Sequence, residues 1–505
     1  MDKIINELAD LAAKHKLVPF LGAGCSVPHL KVDWDTIRDG LAEELSTDEQ
    51  DHLVVAQQYV DTFSKERFCE YLRTKLLIED FSDSLGFAHL AMMSLGVGVL
   101  YTTNQDNIME KCFEKYGRDL KVITTLSDLA NSMPGDRFFI KFHGDLYVPD
   151  SIVFTAGDYE NRMGSVDHFL NIRLRSDLLA KRLFFIGYSL RDKNIQEILK
   201  EIEVVFRGNM PVSYMLAWEY SDELEEHCKQ YGIKLIDPMK EFPESRSNQE
   251  AFEKFLNEFV TQTLIKKTDK EIKSIFTPNV PQTQKVVSPL EIQALKQVIN
   301  EEGFMQGCQK FRAIMDSSLI PIDFEEKVLE MFETLAQKCS STEESDYLNA
   351  AGSHLNFSKV ENLFGVLVLL MTTANARKKG SGPFGQLYMH VKGMPKETYI
   401  GAVAFAIEKL FSWERPITDT FRSHVSTWMD YSRDFNEFDH KTQSFIKHWI
   451  DEAWKGQTIY ENPIKRQQRL NQLGHPLMGK SMDSSDILSR MMNSLPKSFG
   501  KPYEE

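Results

Sequence analysis

The sequence predicts an α/β fold in its N-terminal half, a Rossmann-like parallel sheet with a helical insertion, followed by an all-α C-terminal domain. Three observations support this prediction. Short apolar runs alternate with amphipathic stretches as far as about residue 265, a proline-rich segment then interrupts the pattern, and helical periodicity alone comes after it. Strands that alternate with helices are typical of a parallel sheet with helices on both faces.

Six apolar runs in the N-terminal half have the length and composition of buried strands. They are Leu17–Leu21, Val97–Tyr101, Arg137–Phe142, Arg182–Ile186, Val212–Trp218 and Lys234–Ile236. Residues 33–95, between the first two runs, are too many for one crossover helix. Ile37, Leu41 and Leu45 recur there at four-residue spacing, which is typical of a helix face. We therefore expect a small helical insertion after the first strand.

A segment between the two halves, Thr277–Pro289, contains three prolines and few large apolar residues. This composition is typical of a linker. We therefore divide the chain into a catalytic domain at 1–275, a linker at 276–290, a helical sensor or assembly domain at 291–480 and a mobile tail at 481–505.

The C-terminal half shows two helix starts and one misleading motif. Asp323 is placed to cap a helix whose apolar face includes Val328 and Leu335, and Pro395 suits the first turn of another. The segment Gly380–Gly385 matches Gly-x-Gly-x-x-Gly, but it comes after a helical pattern rather than a strand. We interpret it as a flexible basic loop.

Composition and charge exclude several classes of protein. The net charge of -15 and the lack of a long basic run argue against binding along duplex nucleic acid. The longest apolar run, Leu363–Met371, has about half the length of a membrane span. The six cysteines are scattered without a Cys-x-x-Cys pair, so neither disulfides nor a zinc ribbon are indicated. We expect a cytoplasmic protein that needs no metal.

Small or polar residues come directly after four of the predicted strands. They are Gly22, Ala23, Gly24 and Ser26 after the first strand, Asn104 and Asp106 after the second, His143 and Gly144 after the third, and Gly187 and Ser189 after the fourth. The carboxyl ends of parallel strands lie at one edge of a sheet, where open α/β sheets bind ligands. That edge would offer glycine turns to phosphates, oxygens to a ribose, and a histidine with an asparagine for chemistry.

Each of these clusters also has a simpler structural explanation. The glycines after the first strand can form a tight turn, and Val27 stands where a dinucleotide fingerprint requires a third glycine. Asp106 and Asp192 can each cap a helix, and a single histidine such as His143 is more often structural than catalytic. Cys25 is expected to be a small packing residue rather than a nucleophile.

The ordered motifs GAGCS, TTNQD, HGD, FTAGDY and GYSLRD resemble those of the sirtuin-like superfamily. The resemblance is closest to the sirtuin-like NAD-cleaving domains of prokaryotic anti-phage defence proteins, and it covers about residues 1–265. It implies that Gly22, Ala23, Gly24 and Ser26 hold the pyrophosphate side of NAD, that Asn104 and Asp106 lie beside the nicotinamide ribose, that His143 is catalytic, and that Gly187 and Ser189 approach the adenosine side.

The resemblance implies an NAD+ glycohydrolase (NAD+ nucleosidase) that depletes NAD in abortive anti-phage defence, releasing ADP-ribose or a cyclised form. Sirtuin deacylases carry four zinc-binding cysteines as two Cys-x-x-Cys pairs, and this sequence contains no such pair, so deacylation is disfavoured. Two alternatives stay open: an NAD-dependent transferase, either a deacylase or an ADP-ribosyltransferase, and a catalytically silent sensor of NAD or ADP-ribose. By analogy, the helical half is expected to form homo-oligomers or to bind a partner defence protein or a phage protein.

Overall fold

The computed structural model describes most of the N-terminal half of the chain and part of the C-terminal half. The described residues are 3–163, 168–268, 271, 285–301, 303–315, 318–319, 325–338, 344, 347–348 and 351. The chain divides into one unit at Met1–Ala294 and a second that begins at Leu295. The helix expected at Pro395, the loop Gly380–Gly385 and the tail 481–505 lie outside the described residues. The three domain boundaries proposed from the sequence stay predictions.

A sheet of seven parallel strands forms the centre of the first unit. The strands are β1 Leu17–Leu21, β2 Val99–Thr102, β3 Lys121–Ile123, β4 Phe138–Lys141, β5 Arg182–Ile186, β6 Ser213–Leu216 and β7 Ile233–Ile236. The parallel sheet predicted from the sequence is confirmed, and six of its strands match the predicted runs. Strand β3 was not predicted, because three residues are too few to show a period.

The order of the strands determines where a ligand can enter. The order is β3-β4-β2-β1-β5-β6-β7, so the chain moves outward from β1 on one side and later crosses to β5 on the other. Open α/β sheets bind ligands at such a reversal, outside the carboxyl ends of the strands. Leu21 of β1 pairs with both Thr102 and Ile186, and Thr102 pairs with Lys141. The ends of β4, β2, β1 and β5 therefore stand level beside one another.

Helices connect the strands along the chain, and further helices follow β7 in the sequence. They are α1 Lys3–Ala13, α2 Val27–Leu30, α3 Trp34–Leu45, α4 His52–Thr62, α5 Lys65–Leu76, α6 Phe87–Leu95, α7 Ile108–Lys115, α8 Leu126–Ala130, α9 Ala156–Met163, α10 Phe169–Ala180, α11 Lys193–Phe206, α12 Asp222–Lys229, α13 Pro238–Glu241, α14 Asn248–Lys266, α15 Pro289–Glu301, α16 Phe304–Met315 and α17 Glu325–Lys338. Short 3-10 turns occupy Ala23–Cys25 and Pro149–Ser151, and two-residue strands occupy Lys285–Val286 and Ser318–Leu319.

The predicted helical insertion is confirmed as α3, α4 and α5, and it has an apolar core of its own. Ile37, Leu41, Val55 and Phe68 are buried in that core. Asp33, Asp51 and Ser64 cap the three helices with side-chain oxygens. Leu146, Ile152 and Phe154, from the loops after β4, belong to the same core. The insertion is therefore packed against the segment that comes after His143.

Helical structure in the C-terminal half agrees with the predicted pattern as far as the structure describes it. The predicted apolar face of α17 is buried at Val328 and Leu335, and also at Met331 and Phe332. Asp323, the predicted cap, lies outside the described residues. Among the helices of the described ranges, none is long and apolar enough to cross a membrane.

Candidate active site

Asn104 and His143 each come two residues after the end of one of two neighbouring strands, β2 and β4. Asn104 comes two residues after Thr102, His143 comes two residues after Lys141, and Thr102 pairs with Lys141. Neighbouring strands lie roughly 4.8 Å apart. Both side chains are at least nine-tenths buried. The structure therefore brings these two predicted catalytic residues to the same side of the sheet.

The glycine turns after β1 and β5 are packed against each other. The N–H of Gly22 donates to the Ile186 carbonyl, and that of Gly24 donates to the Gly187 carbonyl, both at 2.9 Å. A Cβ on either Gly22 or Gly24 would collide with the Gly187 backbone, and Gly187 has a φ of +61°. The protein's own backbone thus explains why these positions are glycine. Contact between this turn and a phosphate stays a prediction.

Ser26 links Asn104 and Asp106 through a short chain of buried hydrogen bonds. Its hydroxyl donates to Asp106 Oδ2 at 2.7 Å and accepts from Asn104 Nδ2 at 3.1 Å. The Asn104 backbone N–H donates to Thr102 Oγ1 at 2.9 Å. Because the amide nitrogen is held by Ser26, the direction of the Asn104 carboxamide is fixed. The first and second predicted clusters are therefore in direct contact.

Asp106 has a structural role in addition to its place in this chain. Its Oδ1 accepts from the Ile108 N–H at 3.1 Å, at the start of α7. The N-cap of α7 is Asn107, so the simpler explanation of Asp106 as the cap is wrong in position, although one of its oxygens bonds the first turn of the helix and Ser26 occupies the other. His29 and His89 lie near this carboxylate. Burial lowers the pKa of both histidines, that of His89 to about 4, and outweighs the opposing charge of Asp106. Both imidazoles are therefore neutral at neutral pH.

The backbone around His143 is fixed on both sides. Arg162 Nη2 donates to the Phe142 carbonyl at 3.0 Å, and the Val153 N–H donates to the His143 carbonyl at 3.0 Å. Gly144 comes next with a φ of +84°, and a Cβ there would collide with Ser151. Only glycine adopts this turn without strain. The imidazole is therefore carried by a well-defined loop.

The His143 ring lies between Asp192 and Tyr159. Its Nε2 is 3.1 Å from Asp192 Oδ2, and its Nδ1 is 3.4 Å from the Tyr159 hydroxyl. The carboxylate does not lie in the direction that a hydrogen bond from Nε2 requires, and Nε2 has no hydrogen-bond partner among the described residues. Burial lowers the pKa of His143, Asp192 opposes that shift, and Arg162 adds to it. The ring is therefore a neutral base with one nitrogen available.

Asp192 and Tyr159 are the two residues of this site that the sequence analysis did not assign to it. Asp192 caps α11 through Oδ1, which accepts from the Ile195 N–H at 3.0 Å, so the predicted cap is correct but accounts for one oxygen. Tyr159 packs edge to face on His143 with ring centroids 5.2 Å apart. The two residues belong to the motifs GYSLRD and FTAGDY, and this was the available signal.

The remaining predicted residues have different environments. Cys25 is buried, its Sγ donates to the Ile186 carbonyl at 3.2 Å, and burial raises the pKa of its thiol to about 12. Its predicted role in packing is confirmed. Ala23 is half-buried, and Gly24 and Ser189 are exposed at the same edge. In the part of the chain that is described, no three His, Cys, Asp or Glu side chains form a group that could hold a metal ion.

The fold and the site together define a parallel α/β domain whose polar strand-end residues lie at the switch point of the sheet. Residues 98–236 match the family model described as a SIR2-like domain. The chain therefore contains a sirtuin-like domain, and the predicted resemblance is confirmed.

Curated relatives agree with this assignment. The chain is 29% identical over 224 residues to the NAD(+) hydrolase ThsA of Enterococcus faecium. The matched residues cover 43% of this chain and 46% of that protein. It is 26% identical over 265 residues to the protein of the same name from Bacillus cereus (strain MSX-D12), covering 51% and 52%. Defense-associated sirtuin 2 of Bacillus subtilis is 24% identical over 248 residues, covering 46% of this chain and 24% of that protein. The chain thus matches about half the length of the ThsA proteins, or less.

Proposed function

We propose that this protein is an NAD+ glycohydrolase that depletes NAD in anti-phage defence. The observation that carries the proposal is the placement of Asn104 and His143 just after the paired ends of β2 and β4, beside the interlocked glycine turns of β1 and β5. The names of the relatives, NAD(+) hydrolase and defense-associated sirtuin, support the same activity and the same biological setting.

The proposed reaction breaks the bond between the nicotinamide nitrogen and C1′ of its ribose. The bonding electrons leave with nicotinamide, which becomes neutral, and positive charge develops on the ribose ring. A water molecule then forms a bond to C1′ and loses a proton, which gives ADP-ribose. Groups that stabilise the developing charge, or that hold the water and the ribose, therefore accelerate the reaction.

Three side chains are assigned to the chemistry. Neutral His143 accepts a hydrogen bond or a proton from a ribose hydroxyl, because its buried Nε2 lacks a partner within the described protein. Asn104, held by Ser26, orients the water or the ribose. Asp106 places negative charge near the cationic ring. A positioned acid or base contributes about 10²- to 10⁴-fold to a rate.

The rest of the substrate is assigned to the glycine turns. We assign the pyrophosphate to Gly22, Ala23, Gly24 and Ser26, because this turn follows the end of β1 and is accessible at Ala23 and Gly24. We assign the adenosine side to Gly187 and Ser189, since β5 lies on the far side of β1 from Asn104.

Nicotinamide release from NAD by the purified protein tests this proposal. We expect the wild type to consume NAD without an added acceptor, and we expect His143→Ala and Asn104→Ala to lose at least about 10²-fold in rate while melting like the wild type. Full release by both folded variants would overturn the assignments. Consumption that requires an acceptor would indicate a transferase, and binding without consumption would indicate a sensor.

We further propose a cytoplasmic location, homo-oligomers and a protein partner, from the defence system or the phage, for the helical half. The separate unit that begins at Leu295 supports a distinct task for that half. Light scattering of the full chain, with and without NAD, tests the oligomer, and a single-chain mass in both conditions would contradict it.

A further inference from the structure

The Asp192 carboxylate has one oxygen more than its structural role needs. Oδ1 accepts from the Ile195 N–H at 3.0 Å and caps α11, whereas Oδ2 faces His143 Nε2 at 3.1 Å and the Tyr159 hydroxyl at 3.4 Å. The Asp192 side chain is 9% exposed, so this oxygen is nearly removed from bulk water. A helix cap alone does not require a carboxylate, since asparagine caps helices equally well.

The imidazole beside it is also incompletely bonded. His143 Nε2 is buried and has no hydrogen-bond partner among the described residues, although the carboxylate is at hydrogen-bond distance. Buried polar atoms are normally bonded, so such an atom at the carboxyl end of the sheet points to a ligand. Direct donation from Nε2 to Asp192 would satisfy both atoms, but the geometry does not fit that bond.

The position of Tyr159 indicates which ring nitrogen carries the proton. The Tyr159 hydroxyl lies 3.4 Å from both His143 Nδ1 and Asp192 Oδ2, so it can accept from Nδ1–H and donate to the carboxylate. This arrangement places the imidazole proton on Nδ1 and leaves a lone pair on Nε2. Nε2 and Asp192 Oδ2 are then two acceptors, 3.1 Å apart.

We infer that Asp192 is a substrate-binding residue, and that its Oδ2 and His143 Nε2 together accept the two hydroxyl hydrogens of a vicinal cis diol. The two hydroxyl oxygens of such a diol are separated by about a hydrogen-bond distance, which matches the spacing of the two acceptors. If the proposed NAD hydrolysis holds, on which this assignment rests, the diol is that of the nicotinamide ribose. Tyr159 is a positioning residue that sets the tautomer of His143.

The test separates this role from capping. Asp192→Asn keeps the size of the side chain and the cap at Oδ1 but places an amide at the second position. The matched control is Asp51→Asn at the cap of α4, where one oxygen accepts from Leu53 and Val54. The probes are a non-cleavable carbocyclic NAD analogue and its counterparts that lack one hydroxyl of the cyclopentane ring that replaces the nicotinamide ribose, with binding measured by calorimetry on the full chain.

We expect the wild type and Asp51→Asn to bind the full diol at least about tenfold more tightly than either deoxy counterpart. Asp192→Asn should lose at least about tenfold in affinity for the full diol and most of this discrimination, with an unchanged melting temperature. Wild-type affinity and discrimination in Asp192→Asn would overturn the inference.

Failure of the proposed function would look different. A wild-type protein that binds the carbocyclic analogue through Asp192 but never releases nicotinamide would retain the diol site and refute the hydrolase. A wild type that releases nicotinamide but binds none of the probes would refute the diol site alone, and one that does neither would refute both. The variant Tyr159→Phe adds a second readout. Because Tyr159 sets the tautomer of His143, the pH dependence of binding should differ between Tyr159→Phe and the wild type. An unchanged pH dependence would contradict that role.

Discussion

Ser26 Oγ donates to Asp106 Oδ2 at 2.7 Å, and this buried bond joins the turn after β1 to the segment after β2. The same hydroxyl accepts from Asn104 Nδ2 at 3.1 Å. Ser26 therefore fixes the orientation of Asn104 and Asp106, which we assign to the cleavage of NAD. In the proposed mechanism Ser26 does not contact the bond that breaks.

Replacing Ser26 with alanine should reduce NAD turnover more than it reduces stability. Asn104 loses the group that orients its amide, and a misplaced group of this kind costs about 10²-fold in rate. The unmet hydrogen bonds should lower the free energy of unfolding by about 1–3 kcal/mol. Steady-state kinetics and urea unfolding measure the two effects. Ser84→Ala, at an exposed serine bonded to Ser82, is the control. A wild-type rate in Ser26→Ala would show that Asn104 needs no such support.

The sequence was sufficient to locate the site but not to complete it. Strands β1 and β5 were predicted to the residue, because each is a continuous apolar run that ends at a glycine. Asp192 and Tyr159 could not be assigned, since they lie 49 and 16 residues from His143 and meet it only through the fold. The reason for the glycines after β1 was likewise invisible, because it depends on the backbone of Gly187.

Lys141, the last residue of β4, should be essential for stability. Its side chain is 1% exposed, and its ammonium group donates to Glu110 Oε1 at 2.6 Å and to Asp145 Oδ2. Burial alone would lower the pKa of Lys141, but the two carboxylates outweigh burial and raise it. Lys141→Met leaves both carboxylates buried without their cation, so the free energy of unfolding should fall by about 3–5 kcal/mol.

Urea unfolding of Lys141→Met against Lys111→Met measures this effect. Lys111 forms an ion pair with Glu114 at 2.8 Å, at the surface, where such pairs contribute little. Equal midpoints for the two variants would mean that the buried cluster does not stabilise the β4 end.

The rate of NAD cleavage should fall in acid as His143 becomes protonated. Burial and the charge of Arg162 lower the pKa of His143 below its ordinary value of 6.5, against the opposing charge of Asp192. The neutral, active ring is therefore present at neutral pH, and kcat/KM should decline only below pH 6.5. Arg162→Gln removes one cause of the lowered pKa, so its acid limb should move to higher pH.

A profile of kcat/KM against pH for both proteins measures the shift. Among the residues that the structure describes, the charged or titratable groups shown to act on this ring are Asp192, Arg162 and Tyr159. An acid limb that does not move in Arg162→Gln would assign the titration to a different group.

His89 should make the fold sensitive to acid independently of catalysis. It is buried, and burial lowers its pKa to about 4, whereas in the unfolded chain it titrates near 6.5. Below pH 6.5, His89 therefore binds a proton in the unfolded chain but stays neutral in the folded protein. Stability is complete above pH 6.5 and is lost as the pH falls toward 4, by about 3 kcal/mol at most. Urea midpoints from pH 7 to pH 4 for the wild type and His89→Leu isolate this contribution, because other groups titrate equally in both. The stability of the wild type should fall relative to that of His89→Leu as the pH falls, and parallel curves would mean that His89 has the same pKa in the folded and unfolded chain.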